Sequence, residues 1–259
     1  MYVDKICMIT VIIPSFNYSQ FLGQCIESVI SQSYEDWELI VVDDCSTDNS
    51  AKVVQSYVNK LPNKIKLVRL DVNSGYSKAK NVGIKASAGD FITCIDADDL
   101  LTPHSLELRL SAFQEHPDTM WCHGRALCFS SDPNHADLEE DLYGRWTSIK
   151  TKKWPKAKAW QAVHAQSVMF RRDLYKKIGL YDETMRCSSD REMWRRVFNQ
   201  GYWPAFVHRP VCLYRYHDKQ MHKSSYKQKN KDKINRYMDE ISEIRKNGIN
   251  SSNTPMLET

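Results

Sequence analysis

The sequence predicts an α/β fold with a mainly parallel sheet flanked by helices and a less regular second half. Three observations predict it. Strand-length apolar runs alternate with amphipathic helical segments from residue 6 to about 118, in the order βαβαβαβ. The second run, ELIVVDD at 38–44, is nearly continuous in its apolar character, as a strand buried on both faces requires. Acidic or polar residues close three of the runs, and in an open parallel sheet those carboxyl ends form the ligand-binding rim.

The elements follow in order. ICMITVII (6–13) is a β-branched run that stops at Pro14. Phe21, Leu22, Cys25, Ile26, Val29 and Ile30 recur on one helix face. After the strand at 38–44, Ser46 is expected to cap a helix whose face is Val53, Val54, Tyr57 and Val58. KIKLVRL (64–70) alternates as a third strand. A helix from Gly75 to Ala88 is expected to end at Gly89, before the strand DFITCID at 90–96. Thr102 then opens a helix with Pro103 at its first position. In the second half, 121–129, 165–170 and 211–217 read as strands. Helices are expected before Gly179 and from Asp190 to Asn199, closed by Gly201. Residues 130–160 lack periodicity and read as a long loop. Ile234, Tyr237, Met238, Ile241 and Ile244 fall at helical spacing, ahead of a tail expected to be disordered.

Composition narrows the class. The chain has 259 residues, 42% of them hydrophobic and 26% charged, which excludes a fibrous or disordered protein. No apolar run approaches membrane-spanning length. The start, MYVDKICMITVIIPS, places Asp4 and Lys5 before a strand and shows no cleavage site, so it does not read as a signal peptide. Its 8 cysteines include no CxxC pair, and a reducing cytoplasmic setting without zinc is expected. Basic residues cluster twice. Arg145 to Trp160 holds six Lys/Arg, three Trp and no acid; Tyr214 to Lys246 holds ten Lys/Arg against five Asp/Glu.

The chemistry is expected at the rim. Pro14-Ser15-Phe16-Asn17, Asp43-Asp44 and Asp96-Ala97-Asp98-Asp99 come from separate segments to the ends of strands one, two and four. Carboxylates on a rigid strand end suit a hard divalent cation, Mg²⁺ or Mn²⁺, which fills its other positions with phosphate and water. Taken alone, Asp96–Asp99 reads equally well as a turn and helix cap.

Four blocks now stand in order: TVIIPSFN (10–17), VVDDCSTDNS (41–50), N-x-G-x-x-x-A-K-N-x-G (Asn73 to Gly83) and GDFITCIDADD (89–99). Together they resemble the family 2 inverting glycosyltransferases of the GT-A fold, over roughly 6–217. The resemblance implies a GT-A domain at 1–217, with a nucleotide-binding half (1–118) and an acceptor-side half (119–217), followed by a basic helix and tail at 218–259. It implies that Pro14, Ser15, Phe16 and Asp44 hold base and ribose, Asp44 accepting a pyrimidine ring N–H and so favouring a UDP-sugar. Lys80 stands where many members carry Arg, keeping the charge without the planar fork. Asp96 and Ala97 are assigned to the nucleotide, and Asp98, with His217 of the late Tyr214-Arg215-Tyr216-His217 block, to Mn²⁺ or Mg²⁺. Ser188-Ser189-Asp190-Arg191-Glu192-Met193-Trp194 resembles the block carrying the general base, which makes Asp190 the base; Ser189 departs from the family's acid there. Glu192, Arg215 and Trp160 are candidates for acceptor or diphosphate contact.

The implied activity is transfer of a sugar, of hexosyl type, from a nucleotide-diphosphate donor to an acceptor hydroxyl by a single inverting displacement. The acceptor is a glycan, a lipid-linked sugar or another hydroxyl compound. A nucleotidyltransferase would show a Gly-rich loop after strand one, and PSFNYSQ is not one. The alternatives from other classes are a GT-A scaffold that binds without turnover and a nucleic-acid-binding protein using both basic clusters. The C-terminal helix is expected to pack on the domain or on a second subunit. The location is read as cytoplasmic or peripheral at a membrane's inner face. His123, His164 and His208 have no motif around them and read as core or surface residues.

Overall fold

A computed structural model describes residues 7–130, 163–185 and 189–217, together with Glu243. The basic stretch 145–160 with Trp160, and the expected helix at 234–244 apart from Glu243, lie outside the described residues. Chain order is β1 (Ile9–Ser15), α1 (Ser19–Ile30), β2 (Trp37–Asp43), α2 (Ser50–Lys60), β3 (Ile65–Arg69), α3 (Tyr76–Ala86) and β4 (Phe91–Cys94). Then come β5 (Leu100–Leu101), α4 (Ser105–Glu115), β6 (Trp121–Ser130), a 3₁₀ turn at Ala165–Ser167, β7 (Met169–Arg171), α5 (Arg172–Ile178), α6 (Ser189–Asn199) and β8 (Ala205–Tyr216).

One eight-stranded sheet runs in the order β3-β2-β1-β4-β7-β6-β8-β5. Its first four strands are parallel, with Ser15 level with Asp43 at the carboxyl ends. β7 is antiparallel to both β4 and β6, while β6 and β8 are parallel. The sheet is therefore mixed, with β3, β2, β1 and β4 forming a parallel run, β6 and β8 a second parallel pair, and β5 antiparallel at the edge.

Alternation along the strands explains why these runs are mostly apolar. Ile9, Val11, Ile13, Leu39 and Val41 face one layer with Leu22, Ile26 and Val29 of α1 and Leu106 and Phe113 of α4. Ile12, Ile40, Val42 and Ile92 face the other with Ile84 of α3, Leu174 of α5, and Met193, Trp194 and Val197 of α6. A period of two with both faces covered buries the mid-strand positions, and the few polar ones pair internally, Thr10 Oγ1 donating to Glu38 Oε1 at 2.8 Å and Thr93 Oγ1 to the Val168 carbonyl at 2.7 Å.

Several local expectations are corrected. Ser46 does not cap α2; its Oγ accepts the Asn17 N–H at 2.9 Å, and the Asp48 carboxylate accepts the Ser50 N–H at the helix start. Thr102 opens no helix. Its Oγ donates to the Pro210 carbonyl at 2.9 Å, tying β5 to β8, and α4 begins at Ser105. Residues 165–167 are a 3₁₀ turn rather than strand. α3 ends at Ala86, and Gly89 serves packing instead: a Cβ there would lie 2.6 Å from the Thr10 backbone nitrogen. Gly179 does end α5, with a φ of +80° that favours glycine. The seven described cysteines are free thiols. Among the described residues no helix is long and apolar enough to cross a membrane.

Candidate functional site

The parallel strands deliver their ends to one rim, and the loops there are stitched together by short polar side chains. Asn17, after β1, adopts a φ of +59°, and its Oδ1 accepts the Thr47 N–H at 2.8 Å. Asp48 reaches back to accept the Ser19 N–H at 3.0 Å. Cys45, a second non-glycine residue at positive φ, turns the chain after Asp44. Both Asp44 oxygens hold the entry to α3, accepting the Ser74 and Gly75 N–H groups at 2.7 and 2.8 Å. Each keeps a second lone pair. Pro14 and Ser15 close β1, Ser15 buried with its Oγ unpartnered, while Phe16 is 41% exposed beside them.

Asp96, Asp98 and Asp99 offer oxygens that all lie within 4.8 Å of one another, beyond the end of β4, with buried Ala97 between the first two. Asp96 is gripped from both halves of the chain. Tyr76, at the start of α3, donates its hydroxyl to Oδ1 at 2.5 Å, and Gln166 of the 3₁₀ turn donates to Oδ2. Burial, with the Asp98 charge added, pushes the Asp96 carboxyl up to about 6; burial, Asp98 and Asp96 push Asp99 well above the ordinary carboxylate range. Asp99 Oδ2 is buried with no hydrogen-bond partner. Three crowded hard oxygen donors, one of them orphaned, are the donor set a Mg²⁺ or Mn²⁺ ion takes, and its charge would relieve their mutual repulsion. The residues fit such an ion.

β8 supports this cluster from beneath. The Arg215 backbone N–H reaches Asp99 Oδ1 at 2.8 Å; its guanidinium donates to the Asp98 carbonyl and to Gln24 Oε1, each at 2.7 Å. Phe21 and Phe129 lie against the guanidinium at 4.8 and 4.6 Å. Arg215 is 1% exposed, and through these bonds it holds the acidic loop in place. His217 Nε2 lies 2.9 Å from Asp98 Oδ2, beside the oxygens of the cluster.

Asp190 sits in the first turn of α6, where the helix dipole favours an anion. Its Oδ1 meets Lys80 Nζ of α3 at 2.5 Å. Lys80 is 1% exposed and lies 4.4 and 4.5 Å from the centres of the Tyr76 and Tyr181 rings. Burial is the largest influence and opposes its charge, but Asp190, Cys94 and Asp96 together outweigh it, and the Lys80 ammonium is held above its ordinary range. Tyr76 thus touches both parts of the site, its hydroxyl on Asp96 and its ring under the Lys80 ammonium. Glu192 does not join them. Its two oxygens pair with Arg196 at 2.6 and 2.8 Å, and Arg196 in turn binds the Ile178 and Leu180 carbonyls. The Glu192–Arg196 pair braces α6 against the turn after α5. Trp160 lies outside the described residues.

Sequence reasoning missed Tyr76, Gln166 and Gln24. Tyr76 lies inside the Asn73–Gly83 block, and its place at the start of α3, opposite the end of β4, was the available signal. Gln166 and Gln24 carried none.

Comparisons with known proteins agree with this architecture. The S. aureus TarS 1–349 structure in complex with UDP-GlcNAc superposes with a TM-score of 0.64 at 20% identity, covering 95% of this chain and 68% of that one. The mannosyltransferase PcManGT of Pyrobaculum calidifontis, in complex with GDP-Man and Mn²⁺, gives a TM-score of 0.59 at 20% identity, covering 95% and 65%. Both share the GT-A fold found here. The glycosyltransferase GlyG of Streptococcus pneumoniae is 32% identical over 108 residues, covering 42% of this chain and 36% of that one. The matches span between 33% and 48% of the length of the first six curated relatives. The model of glycosyl transferase family 2 matches residues 10–179, and the chain belongs to that family.

Proposed function

We propose that the chain is a metal-dependent, inverting glycosyltransferase that moves a sugar from a nucleotide-diphosphate donor, a UDP-sugar, to an acceptor hydroxyl. The observation that carries this reading is the acidic cluster with Asp190 held across from it: three carboxylates within 4.8 Å, and a separate carboxylate linked to them through Lys80 and Tyr76. The ligands named in the two structural relatives support a nucleotide-sugar donor and a divalent cation.

The base lies against Phe16 and Ser15, with the free lone pairs of Asp44 accepting its ring N–H. Asp96, oriented by Tyr76 and Gln166, takes the ribose side. Asp98 and Asp99 hold the cation, with His217 and Arg215 fixing their geometry. A bound Mn²⁺ or Mg²⁺ supplies Lewis-acid neutralisation of the diphosphate. Asp190 takes the acceptor's proton at Oδ2, the oxygen Lys80 does not engage. The freed oxygen attacks the anomeric carbon from the face opposite the diphosphate, and one such displacement inverts the centre. The acceptor is a glycan, a lipid-linked sugar or another hydroxyl compound.

Calorimetric titration of UDP with and without Mn²⁺, into wild type and Asp98→Asn, tests the donor site. Mn²⁺-dependent binding is expected in the wild type and is expected to be lost in the variant, with melting unchanged. Wild-type protein that binds no UDP under either condition would remove the reading.

A further inference from the structure

We infer that Lys80 is a positioning residue for Asp190, locking the base to the donor side of the site through Tyr76, and is not itself a nucleotide ligand. The inference rests on the proposed reading of Asp190 as base. Four observations carry it.

Lys80 belongs to the nucleotide half of the chain, yet its ammonium ends on a residue 110 positions away, at 2.5 Å from Asp190 Oδ1. Its side chain is only 2% exposed, while that of Asp190 is 20% exposed, so the carboxylate and not the ammonium reaches the open site. The Tyr76 and Tyr181 rings close over the ammonium, each within 4.5 Å, and leave Asp190 as its one hydrogen-bonded partner among the described residues. Tyr76 also donates its hydroxyl to Asp96 at 2.5 Å. One tyrosine therefore sets the Lys80 ammonium against the carboxylate of the acidic cluster.

The physical consequence is a fixed separation between the base and the acidic cluster. Asp190 stands in the first turn of a helix from the acceptor-side half, and Lys80 is the described side chain that holds its carboxylate. An ammonium clamped by two rings has little rotamer freedom left, so the carboxylate it pairs with is held to the same point. An arginine at this position would bring a planar fork and greater length, with a different grip on the same carboxylate.

The test uses the full chain as wild type, Lys80→Met, Lys80→Arg and Asp190→Asn. Methionine fills the space between the rings without charge, and asparagine keeps an oxygen for Lys80. UDP affinity in Mn²⁺ is measured by calorimetry, and UDP release from a panel of UDP-sugars with water as acceptor gives kcat and KM; melting curves report the fold. Lys80→Met is expected to bind UDP within about threefold of wild type and keep its KM, while kcat falls by about 10²-fold, the scale of an ångström-sized misplacement. Lys80→Arg is expected to recover part of that kcat, which a purely structural role would not produce. Lost UDP affinity with an unchanged saturated rate in Lys80→Met would make Lys80 a nucleotide ligand and overturn the inference. So would a normal kcat in Lys80→Met beside a lost kcat in Asp190→Asn. A normal kcat in Asp190→Asn, or no UDP release by wild type from any donor, removes instead the reading on which the inference rests.

Discussion

Two acids three residues or fewer apart on one helix start, Asp190 and Glu192, look interchangeable until their partners are compared. Asp190 turns back to a buried lysine at the rim; Glu192 turns along its own helix to Arg196. The side chains of Glu192 and Arg196 are each 28% exposed, so solvent screens the pair and it contributes about 1 kcal/mol or less. Glu192→Gln is accordingly expected to lower the melting temperature by about 4 °C at most and to leave Mn²⁺-dependent UDP binding and turnover intact. A variant that folds but loses turnover would return Glu192 to the chemistry. The acidic residues were legible in the sequence because strand ends and helix starts are local features. Their partners were not: Gln166 meets Asp96 across 70 residues, and nothing in AQSVMF marks it.

Among the elements, those with a period were readable and those set by pairing were not. β1, β2 and β4 are apolar runs bounded by Pro14, Asp43-Asp44 and Gly89, and they fall within a few residues of the expected limits. β5 has two residues, too few for any period to register, and β7 has three, the first two of them the end of the strand expected at 165–170. Their existence depends on distant strands, Leu100–Leu101 on Cys212–Leu213 and Met169–Arg171 on β4. β8 was read only from 211, because His208, Arg209 and Pro210 interrupt its apolar pattern; Pro210 marks a register shift against β6. This strand carries the support of the acidic loop, so its loss should be felt at the site. Arg215→Met leaves the Asp98 carbonyl and Gln24 without their buried donor and is expected to destabilise the fold by about 3 kcal/mol. The affinity for UDP in Mn²⁺ is expected to fall by about 10- to 100-fold, as when an outer partner of a ligand is removed. Calorimetry at a temperature where melting shows the variant folded separates the two effects. Unchanged affinity there would confine Arg215 to stability.

At the scale of the molecule, the same burial that builds two core layers also makes stability depend on pH. His123 on β6 is 1% exposed, between the Trp121 ring at 5.9 Å and the Phe206 ring at 5.0 Å, with no hydrogen-bond partner for Nε2. Burial depresses it to about 4. An unfolded chain protonates this histidine near 6.5, so between about 6.5 and 4 the unfolded state binds a proton that the folded state refuses. Stability therefore falls as pH falls through that window, and this one residue accounts for about 2 kcal/mol of loss between pH 7 and pH 5. Asp96 and Asp99, held above the ordinary carboxylate range, act with the opposite sign, since the folded chain keeps protons there that the unfolded chain releases. Comparison of wild type with His123→Leu isolates the histidine, because both chains keep the carboxylates. Leucine also removes a buried nitrogen that lacks a partner, so the variant is expected to be at least as stable as wild type at pH 7. Urea denaturation at pH 7 and pH 5 should show the variant losing about 2 kcal/mol less than wild type. Equal losses in the two chains would mean that His123 is protonated within the folded core, and the stacked arrangement on β6 would have to open to admit the charge.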